Sequence, residues 1–510
     1  CVTNVSEVVG LIYYNGNVET TYAVGNVTGS TNVRGLIGYN KETVSDSYWD
    51  TETTGQSSSD GGTGLTTAEM KGDAAATNLG GFDFATTWKT VETAANGDEI
   101  AYPVLQNTTQ EPAPGTESLY ASGDGTESNP YKIESWIHLN NTRKNLDGNF
   151  TLSKDLNEST AGYDDVANET ANGGNGFEPI GDGENGFTGT FNGANRTIEG
   201  LFIDRQVAFV GLFGQVGSTF PAEPGKIHNV SLVDANVTGN VPGPGPTTGA
   251  LVGTLTEGKV TNASVTGTVD GVSNVGGLVG NNGGVVNTST ADVAVNGTSA
   301  VGGLIGRSGG SDGITESYAT GNVSSGGSAG GLVGNLAGGT VKQSYATGNV
   351  SSDGSGVGGL VGVTESAANG IKKSYAVGTV SGDGGDVGGL LGADNAGTVE
   401  DSYWDTNTTN QTSSARGTGL STDQLKANTS LSGFDFTNVW DVVNTDDEVS
   451  YPYLRNNTQT PAPGLTSAQD GSETLYAGGD GSASSPYKIS DWEELNNTRE
   501  NLGANFTLVN

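Results

Sequence analysis

Apolar residues in this chain come in short clusters at a repeated interval, not along one helical stripe. The motif Gly-Gly-Leu-Val-Gly and close variants centre on Leu278, Leu304, Leu332, Leu360 and Leu390, at spacings of 26, 28, 28 and 30 residues. Weaker copies centre on Leu11, Leu36, Leu212 and Leu251. Between them recurs a second cluster, Ser-Tyr-Ala-Thr-Gly-Asn-Val or a near variant, carrying Tyr22, Tyr318, Tyr345 and Tyr375. A third is short, as in Gly-Thr-Val-Lys-Gln. Each interval therefore predicts three short strands, with Gly supplying corners of positive φ. One such coil cannot bury a core alone. Copies stacked at the strand spacing of about 4.8 Å can, with Leu and Val of successive coils forming internal ladders. The expected fold is all-β, a parallel β-helix or β-solenoid. A β-propeller needs blades of about 40 residues or more, which these intervals do not reach.

A long period encloses the short one. The segment 118–133 returns at 474–489, and 44–54 returns at 399–409, shifts of 356 and 355 residues. Pro-Ala-Pro-Gly at 112–115 returns at 461–464. The chain then divides into the C-terminal part of a unit with its cap (1–111), a Pro-rich linker (112–117) and a complete unit (118–459). A second linker (460–473) and the N-terminal lid segment of a further unit (474–510) follow.

The unit ends read differently from the coils. Residues 134–146 and 490–502 predict amphipathic helices, with Trp136, Leu139 and Leu146 on one face and a capping box at Ser490 and Glu493. These are expected to be lids over a first coil. Thr66 with Glu69, and Ser421 with Gln424, mark short helices of a C-terminal cap. All six Trp fall into equivalent pairs, Trp49 with Trp404, Trp88 with Trp440 and Trp136 with Trp492. They track the caps, so they read as cap packing in preference to exposed platforms for sugar.

The repeated Gly-Gly-Leu-Val-Gly coils, over most of 1–50 and 200–405, resemble the GLUG-motif repeat family of large surface proteins. That resemblance implies a right-handed β-helix and an extracellular setting. It implies no single biochemical activity.

Charge narrows the function. Asp and Glu number 57 against 21 Lys and Arg, a formal charge of −36. Nucleic-acid binding needs a basic face, so no nucleic-acid partner is expected. The balance resembles proteins of halophilic archaea. Cys1 is the only cysteine, so no intrachain disulfide forms; it reads as either a lipidated mature terminus or an arbitrary start. No apolar run reaches the ~18 residues of a membrane span.

Asn-X-Ser/Thr sequons number 21, against about ten expected from composition. The candidates for glycosylation include Asn26, Asn107, Asn149, Asn195, Asn229, Asn236, Asn262, Asn287, Asn296, Asn322, Asn349, Asn407 and Asn456. Asp-Gly pairs at Asp124, Asp182, Asp353, Asp383 and Asp480 read as turns, with Ca²⁺ as the alternative; no other cofactor is expected.

Chemistry is sparse. His138 and His228 are the only histidines, and basic residues in the coils, Arg307, Lys342, Lys372 and Lys373, are scattered. Asp50 and Asp405 recur with the cap and not as a paired-carboxylate site. The expected role is an extracellular, non-enzymatic structural protein of a cell-surface filament, stalk or layer. Its expected partners are copies of itself, head to tail, with residues 475–510 of one capping the 1–50 coils of the next. The alternatives are an adhesive module for cell-surface glycans and a polysaccharide-degrading β-helix enzyme.

Overall fold

The structure, a computed structural model, describes residues 12–14, 17–25, 27, 33–91, 101–106, 119–219, 222–241, 243, 245–310, 313–366, 370–395, 397–444, 449–457, 459–465, 487–489 and 505–508. Its contacts separate two units, 1–119 and 120–510. Cys1, Leu11, the 112–117 linker, most of 466–510 with Trp492, and the Ser490 and Glu493 capping box lie outside the described residues.

In the larger unit the coils stack as a parallel β-solenoid. Two of its sheets have seven strands and a third has twenty. One seven-stranded sheet runs from Phe209–Val210 to Val387–Gly388, the other from Phe213–Val216 to Leu391–Asp394. The long sheet starts at Tyr131–Ile133 and ends at Thr418–Leu420. Equivalent residues pair coil after coil: Val279 with Ile305, Ile305 with Val333, Val333 with Val361, and Val361 with Leu391. The motif leucines Leu278, Leu304, Leu332, Leu360 and Leu390 are fully buried. The first four each pass their N–H to the carbonyl of the next, at 2.9–3.0 Å, and the Leu390 N–H goes to Ser414 Oγ.

A coil holds five short strands where the sequence suggested three. Residues 301–325 contain Val301–Gly302, Ile305–Ser308, Gly313–Thr315, Tyr318–Ala319 and Val323–Ser325. The Gly-Leu pair bends inside the first motif, and a left-handed corner precedes the Ser-Tyr pair.

That corner adds non-glycine residues to the expected glycine corners. Glycines turn some corners, with Gly313 and Gly339 at φ 76° and Gly356 at 78°, but the corner before the Ser-Tyr pair and its equivalents is made by Asn195, Asn229, Asn262, Thr288, Glu316, Gln343, Lys373 and Asp401, at 45–59°. The motif glycines are required by close approach. A Cβ on Gly303 would stand 2.2 Å from the Gly331 carbonyl, and one on Gly331 2.1 Å from that of Gly359. Non-Gly residues in this region cost about 1 kcal/mol each, and a buried serine column supports them. Ser289, Ser317, Ser344, Ser374 and Ser402 each follow a corner residue and are almost wholly buried. Each of the first four gives its N–H to the hydroxyl of the next at 3.1–3.2 Å. Each hydroxyl in turn donates to the carbonyl two residues back at 2.8–2.9 Å.

The lid is a helix at Trp136–Asn141 continued by a tighter turn at Thr142–Lys144, and Ser135 Oγ accepts from the His138 N–H at 3.1 Å. At the other end Ser421 and Gln424 form the expected capping box of Thr422–Lys426. In the smaller unit Thr66 and Glu69 close only a turn, and the helix lies at Gly72–Asn78.

The C-terminal segment of the larger unit is more than an end plug. Alternation along Ser-Tyr-Ala turns Ala319, Ala346 and Ala376 inward and the tyrosines out. Tyr318, Tyr345 and Tyr375 stack with centroids 4.8 and 5.1 Å apart. Residues 425–454 cover them with Phe434, Trp440 and Tyr451. Tyr345 Oη donates to Gln459 Oε1 at 3.0 Å, Tyr375 Oη to the Pro452 carbonyl, and Asn457 Nδ2 to the Glu316 carbonyl at 3.1 Å. The segment therefore runs back along several coils as a strap. Trp136, Trp404 and Trp440 are buried, as cap packing requires, and so is Trp49 in the smaller unit.

The smaller unit repeats this plan, with Ile12 paired to Ile37, Val18 to Val44 and Tyr22 to Tyr48. Separately, Tyr487–Ile489 pairs Phe506–Leu508 in the register by which Tyr131–Ile133 pairs Phe150, Thr151 and Leu152.

Candidate functional sites: sequon columns and a lid cleft

The Asn-Val-Ser/Thr sequons at Asn236, Asn322 and Asn349 lie on, or lead directly into, a strand of the long sheet. Val237, Val323 and Val350 point into the core, so by alternation Asn and Ser or Thr share the outer face. Register aligns Val269, Val295, Val323, Val350 and Val380. Asn236, Asn322 and Asn349 therefore belong to one exposed column, and Asn296 to the neighbouring one with Ser324, Ser351 and Ser381. Asn322 Oδ1 accepts from the Asn349 N–H at 3.1 Å, and Asn349 Oδ1 from the Thr379 N–H at 3.0 Å. A groove of about 430 Å³ lies between the columns, bordered by Asn296, Asn322 and Asn349.

A second column occupies the left-handed corner. Asn262 Nδ2 donates to Asn229 Oδ1 at 2.9 Å and reaches Asn195 Oδ1 at 3.4 Å. The other sequon residues are apart. Asn149 Nδ2 donates to the Gly125 carbonyl at 2.9 Å. Asn287 is half-buried, and its buried Oδ1 has no partner. Asn407 accepts from the Thr422 N–H at 3.2 Å, and Asn456 Nδ2 meets Glu316 Oε2 at 3.4 Å. Asn26 and Asn107 lie outside the described residues.

Beside the lid is a cleft that sequence reasoning missed. One cavity of about 530 Å³ is bordered by Arg143, Glu178, Asp182, Asn185, Val207 and Phe209. A second, of about 450 Å³, shares Gly183 and Phe209 with it and adds Gln215, Thr254, Asn281 and Arg307. Arg143 Nη1 bonds Glu178 Oε2 at 3.1 Å and its guanidinium lies over Phe177. Burial lowers the Arg143 pKa from its ordinary value, and Glu178 works against that shift. Asp182 Oδ1 accepts the N–H groups of Glu184 and Asn185 at 2.9 and 2.8 Å. The sequence signals for this cleft are Phe209 at the start of a Gly-Leu coil and the polar residue three positions after successive motif leucines, Gln215, Thr254, Asn281 and Arg307.

The residues weighed for catalysis are engaged structurally. Asp50 accepts from Tyr102 Oη, and Asp405 from Tyr451 Oη at 2.5 Å. Burial opposes the charge on Asp50, but hydrogen bonds from Tyr102 and the Thr53 and Glu52 amides outweigh it and hold the carboxyl below its usual range. Burial, then the bond to Asp50, pushes Tyr102 up to about 12. His138 Nδ1 accepts from the Glu134 N–H at 3.2 Å, and His228 Nδ1 lies 3.0 Å from Asn229 Nδ2. Burial, then nearby Lys226, lowers the His228 pKa. Arg307 pairs with Glu365 and Lys372 with Glu400, at 3.3 and 3.1 Å. Asp124 is tied to its own turn through Thr126. Among the described residues no group of three or more His, Cys, Asp and Glu could hold a metal ion, and no helix is long and apolar enough to cross a membrane.

No family profile matches the chain. It is similar to halomucin of Haloquadratum walsbyi, 29% identical across 51% of this chain and 4% of that protein. It is also similar to a protein of Evansella cellulosilytica provisionally named as a Gly-rich membrane protein, 40% identical across 29% of this chain and 16% of the other. The chain thus spans only a small part of the length of either relative. Among solved structures it resembles a Bacteroides ovatus protein provisionally named as an immunoglobulin A1 protease, at 21% identity and a TM-score of 0.44, over 67% of this chain and 96% of that one.

Proposed function

We propose that this chain is part of an extracellular, cell-surface structural protein of the GLUG-repeat type, a stack of acidic coils strung in tandem. The similarity to halomucin carries this reading, and the charge of −36 and the tandem period of 355–356 residues agree with it. In this reading the exposed sequon columns carry glycans, which add hydrated bulk to an already charged surface. The coils supply spacing and stiffness and no catalysis. Labelling intact cells with an antibody raised against 118–459 tests the location: signal without permeabilisation supports it, and signal only after lysis refutes it. End-to-end contact between copies is the further part of the reading. Electron micrographs of the purified protein showing rods longer than one chain support that part, and single rods at every concentration count against it.

A further inference from the structure

We infer that the cleft beside the lid binds a neutral oligosaccharide. Its two cavities, about 530 and 450 Å³, meet at Gly183 and Phe209. Each falls in the range of about 300–1,000 Å³ usual for small-molecule sites. The apolar element is a half-exposed ring, Phe209, next to Val207, which is 44% exposed in a unit whose large apolar residues are otherwise mostly buried. Gly183 preserves access to that ring, since a Cβ there would stand 3.0 Å from Phe209 Cε2. A pyranose matches such a surface: its C–H face packs on an aromatic ring while its hydroxyls point to the rim.

The polar groups decide the charge of the ligand. Arg143 is paired with Glu178 and Arg307 with Glu365, at 3.1 and 3.3 Å, so both cations are already neutralised. Asp182 is left over, which disfavours a phosphate or a uronate. The remaining groups donate and accept equally, as hydroxyls do. Gln215, Thr254 and Asn281 stand in register on consecutive strands, repeating at about 4.8 Å along the stack. Thr254 Oγ1 is held 2.8 Å from Thr247 Oγ1, which fixes its rotamer before a ligand arrives. Gln215 and Thr254 are nearly buried, and Gln215 Nε2 already donates to the Gly217 carbonyl at 3.1 Å, so an oligosaccharide lying along the stack with one end on Phe209 makes its main polar contact with Asn281 and meets the other two only at their remaining acceptor positions.

The experiment is titration calorimetry of the full chain with a panel of neutral glucose, mannose and xylose oligomers, trimers to hexamers. Glycans released from the chain itself and from the cell envelope form two further arms. Saturable binding by a panel member or by either released pool is expected; the own-glycan arm alone points to a second copy as the source, the envelope arm to the cell coat. Phe209→Ala should weaken binding up to about tenfold, and Asn281→Ala by a smaller factor, with circular dichroism and melting unchanged. No binding in any arm, or wild-type affinity in the folded Phe209→Ala and Asn281→Ala variants, overturns the assignment.

Discussion

Replacing Ser344 by alanine removes one oxygen from the middle of the buried serine column. Two bonds go with it. The Ser344 hydroxyl accepts from the Ser317 N–H at 3.2 Å and donates to the Lys342 carbonyl at 2.9 Å. The losses differ in consequence. The Lys342 carbonyl still accepts from the Glu316 N–H at 3.1 Å, so it keeps a partner. The Ser317 amide has no substitute, and both serines are fully buried. One orphaned buried N–H costs about 1–3 kcal/mol. The void is the size of one hydroxyl, too small for water to take over its hydrogen bond. A stack of coils need not unfold in one step, so a global midpoint is the wrong readout. Hydrogen exchange resolved to peptides spanning 313–320 reports the local opening. Protection of those amides should fall about 5- to 150-fold, since 1.4 kcal/mol is a factor of ten. Ser324→Ala, on the exposed outer column, is the comparison and should change protection little. Equal protection in Ser344→Ala and wild type would show that the column does not support the corner, and the argument would fall.

Three other outcomes follow from the same geometry. Gly331→Ala places a Cβ 2.1 Å from the Gly359 carbonyl, forcing two coils apart at a cost of about 3 kcal/mol; Gly385→Ala, with nothing within 4 Å, should leave local hydrogen-exchange protection unchanged, and similar losses of protection around the two sites would refute the close-approach reading. Tyr345 and Tyr375 are held well above their ordinary pKa by burial, and Tyr102 at about 12. A tyrosine raised in the folded state contributes stability that is whole below its unfolded value near 10 and lost as pH rises beyond it, so phenolate absorbance of the strapped tyrosines should appear only together with loss of circular dichroism; ionisation near pH 10 with the fold intact would contradict their burial. In the proposed glycoprotein, Asn322 and Asn349 stand on adjacent coils about 4.8 Å apart, closer than two glycan stems tolerate side by side; glycopeptide mass spectrometry should find one or the other occupied on most molecules, and frequent double occupancy would break the register argument.

Much of the fold was legible in the chain. The interval between Gly-Gly-Leu-Val-Gly copies set the coil length, and Leu278 through Leu390 could be assigned to the core because only an inward ladder keeps so regular an apolar set from water. The same interval placed Asn322 and Asn349 on equivalent turns. Three things needed the tertiary structure. Which residues turn the corner is set by the stack: Glu316, Gln343 and Lys373 differ in chemistry, and they adopt positive φ because a buried serine follows each one and bonds to the coil above. The motif glycines are spacers, a role that depends on a carbonyl about 28 residues away. The lid cleft joins Arg143, Asp182 and Phe209, which share no period, to Asn281 and Arg307, which occupy one coil position, so the repeat could give only the polar row and not the lid side that completes the cleft. A periodic sequence reports what each coil repeats; what the lid, the strap and neighbouring coils do to one another is decided by long-range contacts that no local pattern encodes.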